Sequence, residues 1–511
     1  MSMDRKKTNQ EGEKERKVEI VDGFKDAIDD KVEKKADEID RSRVLLPEEQ
    51  NDRTMSELFV GLIKSRFRYI PTWDKWIFYD GVKWNLEVGE IALGEYACMF
   101  AKEQFKRMGN AGGLKDRERA ELFKFIQKSN NRAAIDSVMK LARFDKRIRL
   151  DHKELDAKPK VINCLNVTVD LETGDPHKHH PEDYLTQVCS VNYDETAKCP
   201  LWIDSLKIYF AKDQELIDYI QTFLGYSISG LTGEEQMHFW FGGGNNGKSV
   251  CWNTIKAIMG DYACVVSQDL ILPKRDAHPT EFATLFGKRM AFVSEPDEGR
   301  VISDGKLKGI TGGDEIQARR MREDFWSFLP THKFFCSTNH LPRVESTDDG
   351  TWRRLKCVPF KVDLSTVDGL EVNPDFKDSL KKEWEGIFAW LVRGWGMYAE
   401  NGLTDPKAVT DATAQFKVAE DEIATFIDEE LIEKETLEIR ASDLYQYYKE
   451  RGGKMSAKKF GTEISKHFKK DKRSKGIHRH KVVYEGVGYD VQLHQISDAD
   501  NKDSGDGNSI F

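Results

Sequence analysis

The sequence predicts an α/β protein with a nucleotide-binding core, preceded by a mixed α/β and helical N-terminal region and followed by a winged-helix domain. Three observations carry this. Gln236–Phe241 reads as a buried strand, Val250–Met259 reads as a helix, and the run Gly242-Gly-Gly-Asn-Asn-Gly-Lys-Ser249 lies between them. Two later runs, Arg289–Glu298 and Lys333–Pro342, read as apolar strands that end in polar residues of the kind that work on a phosphate. Near the C-terminus, two helical patterns and a basic strand-like pair follow one another in winged-helix order.

Composition limits what surrounds these features. A chain of 511 residues corresponds to roughly three or four domains. Its 39% hydrophobic content is enough for full cores. No apolar run reaches the ~18 residues of a membrane span, and the charged N-terminus has no signal core. A soluble protein without a membrane partner is expected, in the cytoplasm and specifically that of a bacterial host. The 8 cysteines include no C-x-x-C pair, which suggests reduced thiols rather than a zinc site or a disulfide framework. The net charge of −9 is an average, and basic residues cluster locally, so nucleic acid stays open as a partner.

Along the chain, residues 1–53 are dominated by charge and are expected to be disordered. Residues 54–200 read as a mixed α/β domain. Arg68–Trp84 alternates aromatic residues around an Asp80-Gly81 turn, as a hairpin would. Helical patterns follow at 90–107 and 117–143, and a β-rich stretch at Val161–Leu171. Helices at 201–208 and 214–228 suggest a helical collar over 201–232. The nucleotide-binding core is expected over 233–400, the winged helix over 420–492, and an acidic disordered tail over 493–511.

The glycine-rich run satisfies the phosphate-loop pattern, with residues Gly242, Gly243, Gly244, Asn245, Asn246, Gly247, Lys248, Ser249 and Val250 as the candidate cradle for ATP. Glycines let successive backbone N–H groups turn toward a phosphate, a lysine ammonium neutralises it, and a serine hydroxyl ligates Mg²⁺ at the start of a helix. The run Arg289–Glu298 is a short apolar strand that ends in the carboxylates Glu295, Asp297 and Glu298. Glu295 is the first candidate to orient the attacking water and hold Mg²⁺, and Glu298 the second. In the run Lys333–Pro342 the apolar strand ends in Asn339, whose amide can sense the γ-phosphate. Arg353 and Arg354 precede another apolar run. Arg354 is favoured as an arginine that reaches a neighbouring subunit's nucleotide, with Arg353 second.

These stretches, together with HPTEFATLFGKRMAFVSEPDEG, LKGITGGDEIQARR and STNHLPRVESTDDGTWRRL, resemble the superfamily 3 helicases of the phage/plasmid primase-helicase group, which includes satellite-phage and poxvirus proteins. The match is dense over 205–362 and weaker on either side. The resemblance implies an AAA+ type core, a homo-hexameric ring, ATP hydrolysis between subunits, and 3′ to 5′ movement on single-stranded or forked DNA. It also implies a hairpin that presents basic residues to the strand, for which Lys308, Arg319, Arg320 and Arg322 are the candidates. The segment before residue 54 is short and charged where the family often has a primase domain. Primer synthesis is therefore expected from another protein, and a separate primase, polymerase or single-stranded-DNA-binding protein is an expected partner.

In the last domain, Ser442 opens a helix that stops at Gly452-Gly453, and a second helix carries Phe460, Ile464 and Phe468 on one face. Lys458, Lys459, Lys466, Lys469, Lys470, Arg473 and Lys475 are candidate phosphate contacts. The expected function is an ATP-dependent DNA helicase for replication of a phage, plasmid or other mobile element. The alternatives are a bifunctional primase-helicase and an ATP-regulated origin-binding initiator.

Overall fold

The computed structural model describes residues 50–109, 115–272, 279–294, 301–344, 348–369, 373–420, 422–453, 455–465, 467–472 and 482–489. The segment expected to be disordered, 1–53, overlaps the described residues only at 50–53. The Asn51 side chain accepts from the Thr54 N–H at 3.0 Å and caps the helix Asp52–Ile63, a cap that satisfies an otherwise orphaned donor. Three antiparallel strands follow: β1 (Phe67–Ile70), β2 (Lys75–Tyr79) and β3 (Trp84–Asn85). The Asp80 carboxylate closes the expected turn by accepting from the Val82 and Lys83 N–H groups at 2.8 and 2.9 Å.

The helical pattern at 117–143 divides into Asp116–Ser129 and Arg132–Ala142. Asn131 is the cause, because its side chain accepts from the Ala134 N–H at 2.9 Å and starts a new helix. These helices and Gly89–Gly109 close a core that contains Phe59, Phe67, Trp76, Phe78 and Tyr96.

A second small antiparallel sheet consists of β4 (Val161–Asn163), β5 (Thr168–Asp170) and β6 (Pro176–His177). Its apolar side chains Ile162, Val169 and Leu171 join the central core rather than that of residues 51–148. Tyr262 Oη accepts from the Asn163 N–H at 3.1 Å, and the Trp395 indole donates to the Leu171 carbonyl.

The centre is a five-stranded parallel sheet. It contains β7 (Met237–Phe241), β8 (Ala263–Val266) and β9 (Met290–Val293). After the antiparallel hairpin β10 (Ile316–Ala318) and β11 (Trp326–Phe328), the sheet takes in β12 (Lys333–Thr338) and β13 (Leu355–Pro359). The order is β13-β7-β12-β9-β8. Its strands are nearly continuous apolar runs because both faces are covered. Trp240, Phe292, Phe335 and Val358 meet one helical layer, while Phe239, Ala291, Phe334 and Cys357 meet the other.

The helices Pro200–Tyr209 and Gln214–Ile228, expected as a collar, belong to the first layer and pack with Trp384–Asn401. The crossing is tight. A Cβ added to Gly225 would lie 2.1 Å from the Gly394 backbone, and one added to Gly394 would lie 2.2 Å from the Gln221 carbonyl. The helix Lys407–Glu420 packs beside β13, beyond the expected limit at 400. Thr413 Oγ1 accepts from the Cys357 N–H at 3.1 Å, and Ala412 and Phe416 enter the core.

The C-terminal unit runs in the order helix Glu422–Glu430, β14 (Ile432–Arg440), helices Ala441–Glu450 and Ala457–Ile464, β15 (Lys470–Lys472) and β16 (Val482–Gly488). Its sheet order is β14-β16-β15. Phe426, Tyr448, Phe460, Ile464 and Phe468 form its core.

Candidate functional site

Parallel register brings several strand ends together. Phe241 of β7 pairs with Thr338 of β12 and Pro359 of β13, while Val293 of β9 pairs with Cys336. The carboxyl edge of such a sheet is where α/β proteins place ligands, and the 242–247 loop leaves from it. Two glycines are required there by contact and by backbone. Gly242 (φ +152°) passes under the Phe360 carbonyl, which a Cβ would approach to 2.2 Å. Gly247 (φ +85°) faces the Tyr209 ring, which a Cβ would approach to 2.6 Å. Gly243, Gly244 and Asn245 are exposed, so the loop presents backbone to solvent.

Two asparagines fasten the loop. Asn246 is buried and donates to the Gly243 and Phe360 carbonyls at 2.5 and 3.2 Å. Asn245 (φ +56°) donates to Asp363 Oδ1 at 3.2 Å, and its carbonyl accepts from the Leu364 N–H at 2.8 Å. Hydrogen bonds from Ser365, and then from Asn245, hold the Asp363 carboxyl below the usual range. Tyr209, Phe360 and Asp363 thus shape the loop from 38 residues before Gly247, 118 residues after Gly242 and 118 residues after Asn245 in the sequence. No local pattern in the sequence signals them.

Lys248, only 5% exposed, opens the helix Lys248–Met259. Its ammonium donates to the Gly243 carbonyl at 3.0 Å and to Asn339 Oδ1 at 3.2 Å. The structure therefore brings Lys248 and Asn339, 91 residues apart, to one point. Ser249 is exposed in the first helical turn and Val250 is half-buried behind it. Glu295, Asp297 and Glu298 lie outside the described residues. Ser294, which precedes them, follows β9 directly, and its hydroxyl donates to the Val266 carbonyl at 3.0 Å.

The arginine pair lies at the other end of the same strands. Leu355 pairs with Met237, and the Met237 N–H donates to the Arg354 carbonyl at 2.7 Å. Within one chain, Arg353 and Arg354 are therefore at the amino edge of β7 and β13, away from the loop. Glu235 accepts from both. The Arg354 side chain is 11% exposed and also donates to the Gly350 carbonyl at 2.8 Å, whereas Arg353 is 66% exposed. Accessibility ranks Arg353 ahead of Arg354, the reverse of the order expected from sequence.

The residues expected at the hairpin separate. Arg319, Arg320 and Arg322 lie in the β10–β11 loop, with Arg322 exposed and Arg319 half-buried. Arg320 packs against aromatic rings rather than standing out into solvent. Its guanidinium lies 4.3 Å over the Trp73 ring and 5.1 Å over Trp326, and it pairs with Glu323 at 3.5 Å. Lys308 is likewise elsewhere. It is on the helix Asp304–Thr311 and pairs with Asp348, the N-cap of the turn that precedes the arginines. In the C-terminal unit, Lys458, Lys469 and Lys470 are exposed, with Lys469 paired to Glu485 at 3.0 Å. The Lys459 side chain, Lys466, Arg473 and Lys475 lie outside the described residues. Among the described residues, no helix is long and apolar enough to cross a membrane.

A glycine-rich lysine loop at the carboxyl edge of a covered parallel sheet defines the class: a mixed α/β protein with its candidate site at the ends of β7, β12 and β9. Comparison with known proteins narrows this. Residues 56–210 match the family described as D5 N terminal like, and residues 240–354 match a family of unknown function, DUF5906. The candidate helicase L207/L206 of Acanthamoeba polyphaga mimivirus is 30% identical over 320 residues, which are 58% of this chain and 33% of that protein. The candidate primase C962R of African swine fever virus is 25% identical over 353 residues, 62% of this chain and 36% of the relative. The candidate helicase 121R of Invertebrate iridescent virus 3 is 28% identical over 222 residues, 40% and 23% of the two chains. Among solved structures, the apo C-terminal region of NrS-1 aligns with a TM-score of 0.47 and 10% identity, covering 86% of this chain and 100% of that one. Over these stretches the chain is similar to viral proteins named as candidate helicases and primases. It spans about a third of the length of the first two of these relatives.

Proposed function

We propose that this chain is an ATP-dependent DNA helicase that serves replication of a phage, virus or other mobile element. The observation that carries the reading is the meeting of Lys248 and Asn339 beside an exposed glycine loop at the carboxyl edge of the sheet. The residues fit MgATP. Gly243 and Gly244 offer open backbone, Lys248 supplies a cation and Ser249 an exposed hydroxyl. Bound MgATP supplies the phosphoryl group whose hydrolysis drives the motor. Lys248, freed from its carbonyl contacts, would bind the β- and γ-phosphates, Ser249 would hold Mg²⁺, and Asn339 would orient water beside the γ-phosphate. Glu295 is the general base in this scheme, with Glu298 the second choice.

The arginines lie at the far edge of their own sheet, which supports a role in trans within an AAA+ type superfamily 3 hexamer. Arg353 is the one exposed enough to reach a neighbour's nucleotide, and Arg354 holds the Arg353 loop on Glu235. The ring moves 3′ to 5′ on single-stranded or forked DNA, and Arg319 and Arg322 meet the strand.

The C-terminal unit, with its helix–strand–helix–helix–strand–strand order, is a winged helix in this reading, and it favours a second one: an initiator that uses ATP to bind an origin without opening it. Strand displacement on forked DNA with ATP and Mg²⁺ tests both, with Lys248→Ala as the control. Unwinding that disappears in Lys248→Ala supports the helicase. ATP hydrolysis and DNA binding without displacement would favour the initiator.

A further inference from the structure

The loop that joins β10 to β11 divides into two sets of side chains. Arg320 and Glu323 face the N-terminal unit: Arg320 lies over Trp73, and Glu323 takes Lys75 at 2.8 Å as well as Arg320. They fix the loop from below. The other set meets solvent. Met321 is 73% exposed and Phe325 is 50% exposed. Arg319 lies with its guanidinium 4.9 Å over the Phe325 ring, and Arg322, at φ +64°, forms no hydrogen bond or ion pair among the described residues.

Neither apolar side chain belongs to a core cluster of the described residues, so folding gives no reason for a phenyl ring and a thioether at the tip of a two-stranded ribbon. Contact with phosphate alone gives no reason either, because an apolar face adds nothing to an ion pair. Cations beside a flat apolar face suit a nucleotide, whose base offers a π-face and whose backbone carries the charge. A duplex has already used its base faces in stacking, so the matching partner is a single strand.

We infer that Phe325, with Met321 in the same loop, is a base-stacking contact for single-stranded DNA. Arg319 positions the ring, and Arg322 takes a phosphate. The inference rests on the DNA-motor reading above and adds that the strand is gripped by its bases as well as its charge.

The test measures affinity of the full chain, with Mg²⁺ and a non-hydrolysable ATP analogue, for oligo(dT) and for an abasic deoxyribose-phosphate strand of equal length, over a salt series. The wild type should bind oligo(dT) about ten-fold more tightly than the abasic strand, the size of one or two stacking contacts. Phe325→Ala should lose that preference and keep the salt slope, while Phe325→Trp should retain the preference. Arg322→Ala should make the salt slope shallower for both strands. A Phe325→Ala protein that prefers oligo(dT) as strongly as wild type overturns the inference and leaves the motor reading intact. If Phe325→Ala instead changes oligomer mass while base preference survives, the patch is a subunit contact and the inference falls. Failure of the wild type to bind either strand would sink both readings.

Discussion

Gly247 and Gly243 belong to one motif but carry different demands. A methyl group on Gly247 would meet the Tyr209 ring at a backbone φ of +85°, while one on Gly243 would meet nothing within 4 Å. Gly247→Ala should therefore cost about 1–3 kcal/mol, seen as a lower thermal midpoint, together with lost ATP binding. Gly243→Ala should melt like wild type and reveal only what the loop's backbone contributes to nucleotide affinity. Equal midpoints for the two variants would refute the role of Tyr209. The motif was legible in the sequence from the spacing of its glycines and lysine alone. Tyr209 was not, since nothing local ties it to Gly247. A second residue-scale prediction concerns acid. His332 is buried edge-on to Phe334 at 4.9 Å, and its nitrogens have no hydrogen-bond partner among the described residues. Burial, and then the charge of Lys333, push its pKa down to about 3. An unfolded histidine titrates near ~6.5, so in the window between these values the unfolded chain binds the extra proton. The stability linked to His332 is whole above that window and is lost as pH falls through it. His332→Phe should show a smaller drop in thermal midpoint from neutral to mildly acidic pH than wild type, and parallel curves would count against it.

At the scale of elements, periodicity revealed strands and helices more readily than their neighbours. The apolar runs that became β7, β9, β12 and β13 were visible because a strand covered on both faces needs no polar alternation. The helices 200–209 and 214–228 were also visible, but the glycines that decide what covers them are not hydrophobic and do not contribute to an apolar stripe. Gly225 and Gly394 let two helices touch through their backbones, so Gly394→Ala must push the layers apart. The expected cost is about 2 kcal/mol or more, in the range of an overpacked core. Gly396 lies one turn-fraction further on the same helix and has nothing within 4 Å. Gly396→Ala should be neutral or stabilising by about 0.5–1 kcal/mol, through helix propensity alone. Thermal melts of the two variants check the crossing, which would be wrong if both moved the midpoint equally. The hairpin shows a similar limit. Three arginines in four residues suggested one basic surface, yet Arg320 points to Trp73, an N-terminal residue whose position only the fold supplies.

For the whole molecule, the arrangement of the site across β7 raises the question of how many chains complete it. Lys248 and Asn339 sit at the carboxyl edge, while Arg353 is exposed at the amino edge beside Glu235. Sequence made both ends visible as motifs. It did not show that one sheet separates them, because that follows from the parallel pairing of β13 with β7. If the ring reading holds, each active site takes Lys248 from one chain and Arg353 from the next. Lys248→Ala and Arg353→Ala should then each abolish DNA-stimulated ATP hydrolysis alone, for different reasons. In a random one-to-one mixed assembly, about a quarter of the interfaces would join an intact Lys248 to an intact Arg353. Hydrolysis should reappear to a comparable fraction of wild type when the two inactive proteins are dissociated and assembled together. Arg354→Ala would behave differently, since Arg354 is buried against Glu235 and Gly350 and its loss should lower the thermal midpoint as well. Recovery in the mixture would establish that the site is shared. If the mixture stays inactive although mass measurement shows mixed oligomers, Arg353 does not act in trans and the shared-site mechanism fails.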